Sequence, residues 1–238
     1  KALSFCEQAL SINETIYDNT PHPNLATTLN NLGAIWSGLG DFEKALSFHN
    51  QALIVQQFFY GDKLHPDIAS SLHNIGASWK NLGDHQKASS FSQKALLMRK
   101  AIYGDKPHPR IALSLIAVGN SWEDSGDHQK ALSFYQQALV MRKAIFGDKP
   151  HPSLSTSLNN IGSTWEALGD VRKAISYLEQ SLAMDKVIYG DKPHPEIATS
   201  LHNVGSAWGS LGNFRKALSF LEQALAMNKS SYDNKPHP

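Results

Sequence analysis

The fold of this chain is decided by residues 23–45, PNLATTLNNLGAIWSGLGDFEKA, because the pattern of this stretch recurs along the sequence. Its final Lys-Ala pair returns every 43 residues, with the lysines at Lys1, Lys44, Lys87, Lys130, Lys173 and Lys216. A fixed period of about 20–50 residues predicts a solenoid or an array of small units and argues against separate globular domains.

The residues that are rare elsewhere follow the same period. All five tryptophans share one position: Trp36, Trp79, Trp122, Trp165 and Trp208. We therefore predict one continuous array over 1–238, with a leading second helix and loop at 1–22 and repeats at 23–65, 66–108, 109–151, 152–194 and 195–238. Because the chain begins without Met, we interpret it as a piece of a longer protein.

Each period carries a helical pattern twice. Apolar and small residues recur at spacings of three and four, which predicts a helix from Pro23 to residue 39. Pro23 suits a first turn, and Gly40 suits the positive φ that ends a helix. Asp41 is placed to cap a second helix that runs to about Tyr60. The prediction is an all-α fold of eleven helices in antiparallel pairs.

A family resemblance rests on these positions. The sequence resembles the tetratricopeptide repeat at Leu29, Leu32, Gly33, Trp36, Gly40, Asp41, Ala45 and Ala52. Its unit is longer than the usual one of about 34 residues, and residues 65–69, HPDIA, are similar to the kinesin-light-chain subclass. The resemblance implies a right-handed superhelical solenoid whose first helices line a concave groove that binds a protein or peptide.

The first helices carry a polar stripe where the resemblance places that groove. One of its columns is asparagine in four repeats: Asn31, Asn74, Asn160 and Asn203. An amide both donates and accepts hydrogen bonds, so such a column can hold the backbone of an extended peptide. The candidate groove also includes Asn30, His73, Asn120, Asn159 and His202. The alternative, that the asparagines only stabilise helix stacking, stays open at this point.

The third repeat interrupts the stripe. Leu113 and Ile116 stand where the other repeats have Ser or Thr and Asn or His, which makes them candidates for a side-chain pocket. The charged groove positions have a net charge of −2: Lys80, Glu123, Asp124 and Glu166. We expect a ligand with an apolar anchor flanked by basic or neutral residues. Drift in a single copy is the competing explanation.

Several function classes are not expected. A net charge of +1 gives no electrostatic basis for binding nucleic acid or an anionic membrane, and no apolar run reaches the ~18–20 residues of a membrane span. One histidine lies in each connecting loop: His22, His65, His108, His151, His194 and His237. Since these lie in successive loops, we expect them to cap or pack helix starts and not to bind a metal. No catalytic motif is present, so we expect neither an enzyme nor a cofactor.

The remaining side chains are assigned by position. The tryptophan and methionine columns are expected in the core, and basic residues of the second helices on a solvated face: Arg99, Lys100, Arg142 and Lys143. The lone Cys6 occupies a position that varies between repeats, so it is not expected to be a nucleophile. A chain with one cysteine fits a reducing, cytoplasmic setting.

Two other functions remain alternatives to the binding groove. The array could assemble with itself, end to end or intertwined, because terminal helices expose stacking surface unless other segments cap them. It could also be a sensor domain that regulates an enzyme or a nucleotide-binding switch attached elsewhere in a longer chain.

Overall fold

A computed structural model describes residues 2–18, 20–104, 106–147, 149–190 and 192–231. These residues form eleven α-helices and no strand. The helices are α1 (Ala2–Ile16), α2 (Pro23–Gly38), α3 (Phe42–Tyr60), α4 (Pro66–Asn81), α5 (His85–Tyr103), α6 (Pro109–Asp124), α7 (His128–Phe146), α8 (Pro152–Ala167), α9 (Val171–Tyr189), α10 (Pro195–Ser210) and α11 (Phe214–Ser231). The all-α class and the predicted number of helices are confirmed.

The loop histidines begin the first helices. His65 adopts an extended backbone before Pro66, and its Nδ1 accepts a hydrogen bond from the backbone N–H of Asp67 at 3.2 Å. Its ring also stacks on Tyr60, with the ring centroids 3.6 Å apart. The same cap recurs at His22, His108, His151 and His194. The predicted structural role is confirmed for these five, whereas His237 lies outside the described residues.

The lysine that marks the period joins the two helices of a pair. Asp41 caps α3 by accepting from the backbone N–H of Lys44, and its carboxylate lies 2.7 Å from the Lys44 ammonium. The hydrogen bond from the Lys44 side chain, and after it the one from the Lys44 backbone, holds the pKa of the Asp41 carboxyl below its usual value. The ammonium also lies over the ring of Trp36, 4.1 Å from its centroid. The sequence analysis expected this tryptophan in the core. Trp36 is instead half-buried, so part of its ring stays exposed to solvent.

A glycine column allows the two helices of a pair to approach closely. A Cβ on Gly162 would lie 2.6 Å from Cγ of Leu178, and a Cβ on Gly33 would lie 2.5 Å from the ring of His49. The position opposite the glycine is the one that varies between repeats, with His49, Ser92, Leu178 and Leu221. The variation therefore concerns side chains at the helix interface.

The contacts divide the chain into two compact units. The first unit contains residues 1–106 and 113–126, and the second contains residues 107–112 and 127–238. In the first unit α2 packs on α3 and α4 on α5, with α1 against α2 and α3 against α4. In the second unit α8 packs on α9 and α10 on α11, with α7 against α8 and α9 against α10. Consecutive helices are thus paired as expected, while the single continuous array stays a prediction.

A buried or, at Asn13, half-buried hydrogen bond joins each of α1, α3, α5, α7 and α9 to the first helix that follows it. The Gln56 amide oxygen accepts from the Ser71 hydroxyl at 2.7 Å, with both residues buried. The equivalent pairs are Asn13 with Thr28, Arg99 with Ser114, Arg142 with Ser157, and Asp185 with Ser200, at 2.6–2.8 Å. We call these five pairs the rungs.

The rungs correct one assignment made from the sequence. Arg99 and Arg142 are not on the solvated face, because only 2% and 8% of their surfaces are exposed. Their neighbours Lys100 and Lys143 are exposed, as predicted. Each arginine lies one residue before an exposed lysine, and a single-residue step on a helix turns a side chain by roughly 100°. Burial also lowers the pKa of Arg142.

His49 combines burial with a fixed tautomer. Its ring is 3% exposed, and its Nδ1 lies 2.9 Å from the Asn30 amide oxygen. Because that oxygen can only accept, Nδ1 carries the hydrogen. Burial lowers the pKa of His49 to about 4.

Replacing Gly162 with Ala is predicted to destabilise the fold by about 1–3 kcal/mol, because the new methyl group would overlap the Leu178 side chain. Gly209→Ala is the matched control in the same unit. Its Cβ would meet Ala217 at an ordinary 3.7 Å, so the change should be neutral or stabilising by up to about 1 kcal/mol. Urea unfolding followed by circular dichroism measures both. Equal effects of the two substitutions would contradict the close approach.

Stability is predicted to fall between pH 6.5 and pH 4 through His49. The folded state lowers the pKa of this histidine from 6.5 to about 4, so below pH 6.5 the unfolded chain takes up the proton first. The contribution is complete above pH 6.5 and declines by up to about 3 kcal/mol as the pH approaches 4. Urea unfolding of wild type and His49→Leu, measured across this range, tests the prediction, because leucine occupies the position in two other repeats. If the variant loses stability with the same slope, His49 is not responsible.

Candidate functional site

The predicted stripe lies on an open side of the first helices. In the first unit Thr27, Asn31 and Ala34 are exposed on α2, and in the second unit Thr199 and His202 are exposed on α10. The opposite side of each helix holds the buried apolar residues, such as Leu29 and Leu32 on α2. We call this open side the groove face. Its local exposure fits the sequence prediction, while the binding role of its residues stays a prediction.

The asparagines divide between two environments. In the second unit the Asn203 amide donates to the Asn159 oxygen at 2.8 Å, which joins α10 to α8. In the first unit Asn30 donates to the Ser71 hydroxyl at 2.8 Å, which joins α2 to α4. The stacking role that the sequence left open therefore exists at these residues.

Within the described ranges, the three remaining asparagines of the column that contains Asn203 make no such contact between helices. Asn31 is exposed, and Asn74 and Asn160 are half-buried. Their side-chain amides make no hydrogen bond with another residue in the described part of the chain, so they remain able to pair with a ligand. One N–H group of the Asn203 amide donates to Asn159, which leaves its second N–H group and its amide oxygen able to pair with a ligand.

A cavity of about 240 Å³ opens at the third repeat, within the first unit. Ile116 is 8% exposed and Leu113 is 37% exposed, so one side chain forms the inner wall and the other reaches the surface. The complete lining is His73, Gly76, Ala77, Lys80, Ser92, Leu113, Ile116, Ala117, Asn120 and Ser121. The structure thus brings together four residues that the sequence nominated separately: His73, Leu113, Ile116 and Asn120.

The cavity depends on a residue that sequence reasoning missed. Ser92 faces Gly76 from α5, in the position that His49, Leu178 and Leu221 occupy in other repeats. Its smaller side chain leaves room beside the glycine, and Ser92 lines the cavity. The signal was a serine in a column that has a bulky residue in each of the other full repeats, but only the helix packing shows that this column faces the glycines.

The charges around this cavity are largely paired. The Lys80 ammonium lies 3.1 Å from the Asp124 carboxylate across α4 and α6, so two of the four counted charges offset each other. Glu166 belongs to the second unit, where its carboxylate accepts from the Ser210 hydroxyl at 2.7 Å. The net charge of −2 counted from the sequence is therefore not the net charge beside this cavity.

A second apolar cavity of about 600 Å³ lies among α3, α4 and α5, and sequence reasoning did not identify it. Leu53, Ile68 and Met98 form part of its wall, and Leu64 and Leu97 are exposed at its edge. The methionine column thus borders a surface cavity at Met98 as well as the core.

Among the described residues, no group of three or more His, Cys, Asp or Glu side chains could hold a metal ion. No described helix is both long enough and apolar enough to cross a membrane. Cys6 is a half-buried free thiol on α1.

Comparison with known proteins places this geometry in a family. The tetratricopeptide repeat model matches residues 1–57, 67–144, 123–187 and 153–230, whereas no curated protein matches the chain. Among solved structures, BtubC (BKLC) from P. vanneervenii is similar with a TM-score of 0.82 at 20% identity, over 100% of this chain and 93% of that one.

Two more solved structures share the fold. A kinesin-light-chain protein of nearly identical TPR-like repeats from Podosopora anserina has a TM-score of 0.74 at 22% identity, over 88% of this chain and 98% of its own. A Rap protein in complex with Competence and Sporulation Factor has a TM-score of 0.68 at 14% identity, over 98% of this chain and 67% of its own. These likenesses confirm the predicted solenoid class of paired helices, and with the family match they show that the chain belongs to the tetratricopeptide repeat family.

Proposed function

We propose that the chain is a protein-interaction scaffold that binds an extended peptide or a partner helix along its groove face. The observation that carries the proposal is the cavity of about 240 Å³ on that face, bounded by Leu113 and Ile116. An apolar cavity with a few polar groups at its edge is the usual form of a ligand site. The similar fold of a Rap protein solved with Competence and Sporulation Factor supports a binding role.

In this proposal backbone and side-chain recognition are separate. The amides of Asn31, Asn74, Asn160 and Asn203 pair with the backbone of the ligand, which needs no particular side chains. One apolar side chain of the ligand enters the cavity and packs on Ile116, where burial of an aliphatic or aromatic group is worth about 1.5–3 kcal/mol. The ion pair of Lys80 and Asp124 borders the cavity and favours neutral or polar neighbours of this anchor. The single thiol, Cys6, fits a cytoplasmic setting.

Substitutions in the asparagine column and in the cavity at Leu113 and Ile116 are predicted to affect peptide affinity differently. Peptides selected on the wild-type protein from a random library provide the probe for isothermal titration. Leu113→Ser with Ile116→Asn should weaken peptides with an apolar anchor by about 10- to 100-fold, as expected for losing one buried side chain. Changing the four asparagines to Ala should weaken every selected peptide, whatever its sequence.

Leu97→Ser is the matched control, because Leu97 is an exposed leucine outside this cavity. It should leave affinity unchanged. Selected peptides that bind the Leu113/Ile116 variant as tightly as wild type would remove the pocket from the proposal. Unchanged affinity of the four-asparagine variant would assign that column to stacking alone.

Self-association is a second candidate, favoured by apolar side chains exposed on α1 and α11. Phe5, Ile12 and Ile16 are 58–67% exposed, and Phe214 and Leu218 are 75% and 59% exposed. Exposed apolar stripes of this kind mark contact surfaces. Such contacts would join copies of the chain without using the groove face.

Light scattering of this chain should therefore show a mass that rises with concentration, and Phe214→Lys with Leu218→Lys should reduce the rise. The same two changes should leave peptide affinity intact. A mass that stays monomeric at millimolar concentration would rule out this candidate, and a rise unaffected by the substitutions would exclude the stripe on α11.

A further inference from the structure

A small polar cavity of about 120 Å³ lies in the second unit, among α8, α9 and α10. It reaches the surface beside Thr156 and Thr199, which are exposed on the groove face. Its inner wall includes Ser155, Ser181 and Asp185, which are all buried. A polar wall of buried hydroxyls and one carboxylate is unlike the apolar cavities of the first unit.

Three departures from the repeat meet in this wall. Ser155 stands where the other repeats have alanine: Ala26, Ala69, Ala112 and Ala198. Ser181 likewise replaces alanine, which is found at Ala52, Ala95, Ala138 and Ala224. Asp185 stands at the rung position that holds Arg99 and Arg142 in the two preceding repeats. The two serines add polarity and the aspartate reverses the charge, and together they convert an apolar or cationic interface into an acidic cavity.

The preceding repeat shows what group fits the equivalent space. There Nη1 of Arg142 donates to the Ser157 hydroxyl and to the carbonyl oxygen of Ser153. One period later, Ser200 and Glu196 occupy the positions of these two acceptors, and both line the cavity. Asp185 is shorter than arginine and opposite in charge, and its carboxylate takes the rung contact to Ser200. The cavity lies beside this carboxylate, in an interface that the longer arginine fills one repeat earlier.

The cavity carries negative charge from two of its lining residues, Asp185 and Glu196. Asp185 is 4% exposed and accepts from the Ser200 hydroxyl at 2.6 Å, while Glu196 stands at the exposed edge. None of the lining residues is Lys, Arg or His. Burial and then the charges of Glu196 and Asp185 raise the pKa of Tyr189, another lining residue. A buried carboxylate is costly without a cation, so a cationic group that enters here gains a strong partner.

We propose that this cavity binds the guanidinium group of an arginine side chain, supplied by a segment that lies on the groove face. Asp185 is the charge partner. The hydroxyls of Ser155 and Ser181 lie 2.8 Å from each other and donate within this pair, including to its backbone carbonyls, so their remaining lone pairs accept from the other N–H groups. Arginine suits the site better than lysine, because its planar fork can donate to several acceptors at once. The inference rests on the proposed groove for delivery of the side chain, but the cavity itself can be tested without the groove.

The probe is the tripeptide acetyl-Ala-Arg-Ala-amide, titrated into the whole chain while amide chemical shifts near Ser155, Ser181 and Ser200 are followed by NMR. The control probe replaces arginine with citrulline, which keeps the shape and removes the charge. We expect the arginine peptide to bind at least about tenfold more tightly than the citrulline peptide. Asp185→Asn keeps an acceptor for the Ser200 hydroxyl and should abolish the difference.

Asp185→Arg provides a second variant, because it restores the residue type that forms the rung at Arg142 in the preceding repeat. It should keep the thermal midpoint of wild type and lose the arginine-dependent shifts. Equal binding of the two peptides to wild type, or an unchanged preference in Asp185→Asn, would overturn the proposal.

Asn31→Ala with Asn74→Ala separates this site from the proposed function, since both residues lie in the first unit. The tripeptide should bind this variant as it binds wild type. If the groove variants leave the affinity for the longer selected peptides unchanged while the preference for the arginine tripeptide persists, the proposed groove is wrong and the arginine site is supported. If the arginine preference is absent while the groove variants weaken binding of the longer peptides, the arginine site is wrong and the groove is supported.

Discussion

The rungs are the constraint on which the rest of the structure depends. Apolar contacts between successive helix pairs are non-directional and would tolerate a shift along the helix. A rung does not tolerate it, because a displaced Gln56 or Arg142 would leave a buried polar group without a partner, at a cost of about 1–3 kcal/mol or more. One directional bond between successive helix pairs therefore sets their register. That register also sets the spacing of the first helices, which carry the groove face.

Two further interactions act within a pair and explain the most regular columns. The glycines allow the helices to approach until a Cβ would overlap the opposite side chain, as at Gly162 and Leu178. The periodic lysine bridges the capping aspartate and the half-buried tryptophan, as Lys44 does with Asp41 and Trp36. The lysine is conspicuous in the sequence because it contributes to a helix cap and a helix interface at once.

The candidate sites arise where these same positions change. At Ser92 a bulky residue opposite the glycine becomes small, and a cavity opens beneath Leu113 and Ile116. At Asp185 a rung changes from guanidinium to carboxylate, and an acidic cavity appears beside Ser155 and Ser181. Both departures keep the fold, because neighbouring repeats still hold the register. A repeat protein can thus change single residues into candidate binding groups while the helices around them keep their packing.

The sequence by itself determined the helices, their ends and their pairing. These features follow from local chemistry that repeats at a constant spacing: Pro23 and His22 at a helix start, Gly40 at a helix end, Asp41 as a cap. It also nominated Leu113 and Ile116, because an exception is visible against a regular background. It could not separate Arg99 from Lys100, since both are basic and adjacent, and it could not show that Ser92 faces Gly76.

Only the tertiary structure decided those points. Burial, the rungs and the cavities depend on contacts between residues about 15 to 44 positions apart in the chain, and the helical period gives each side chain a direction without naming its neighbour. The sequence thus determined where the elements begin and end, and packing decided which of their polar residues join neighbouring helices and which keep exposed or unpaired groups.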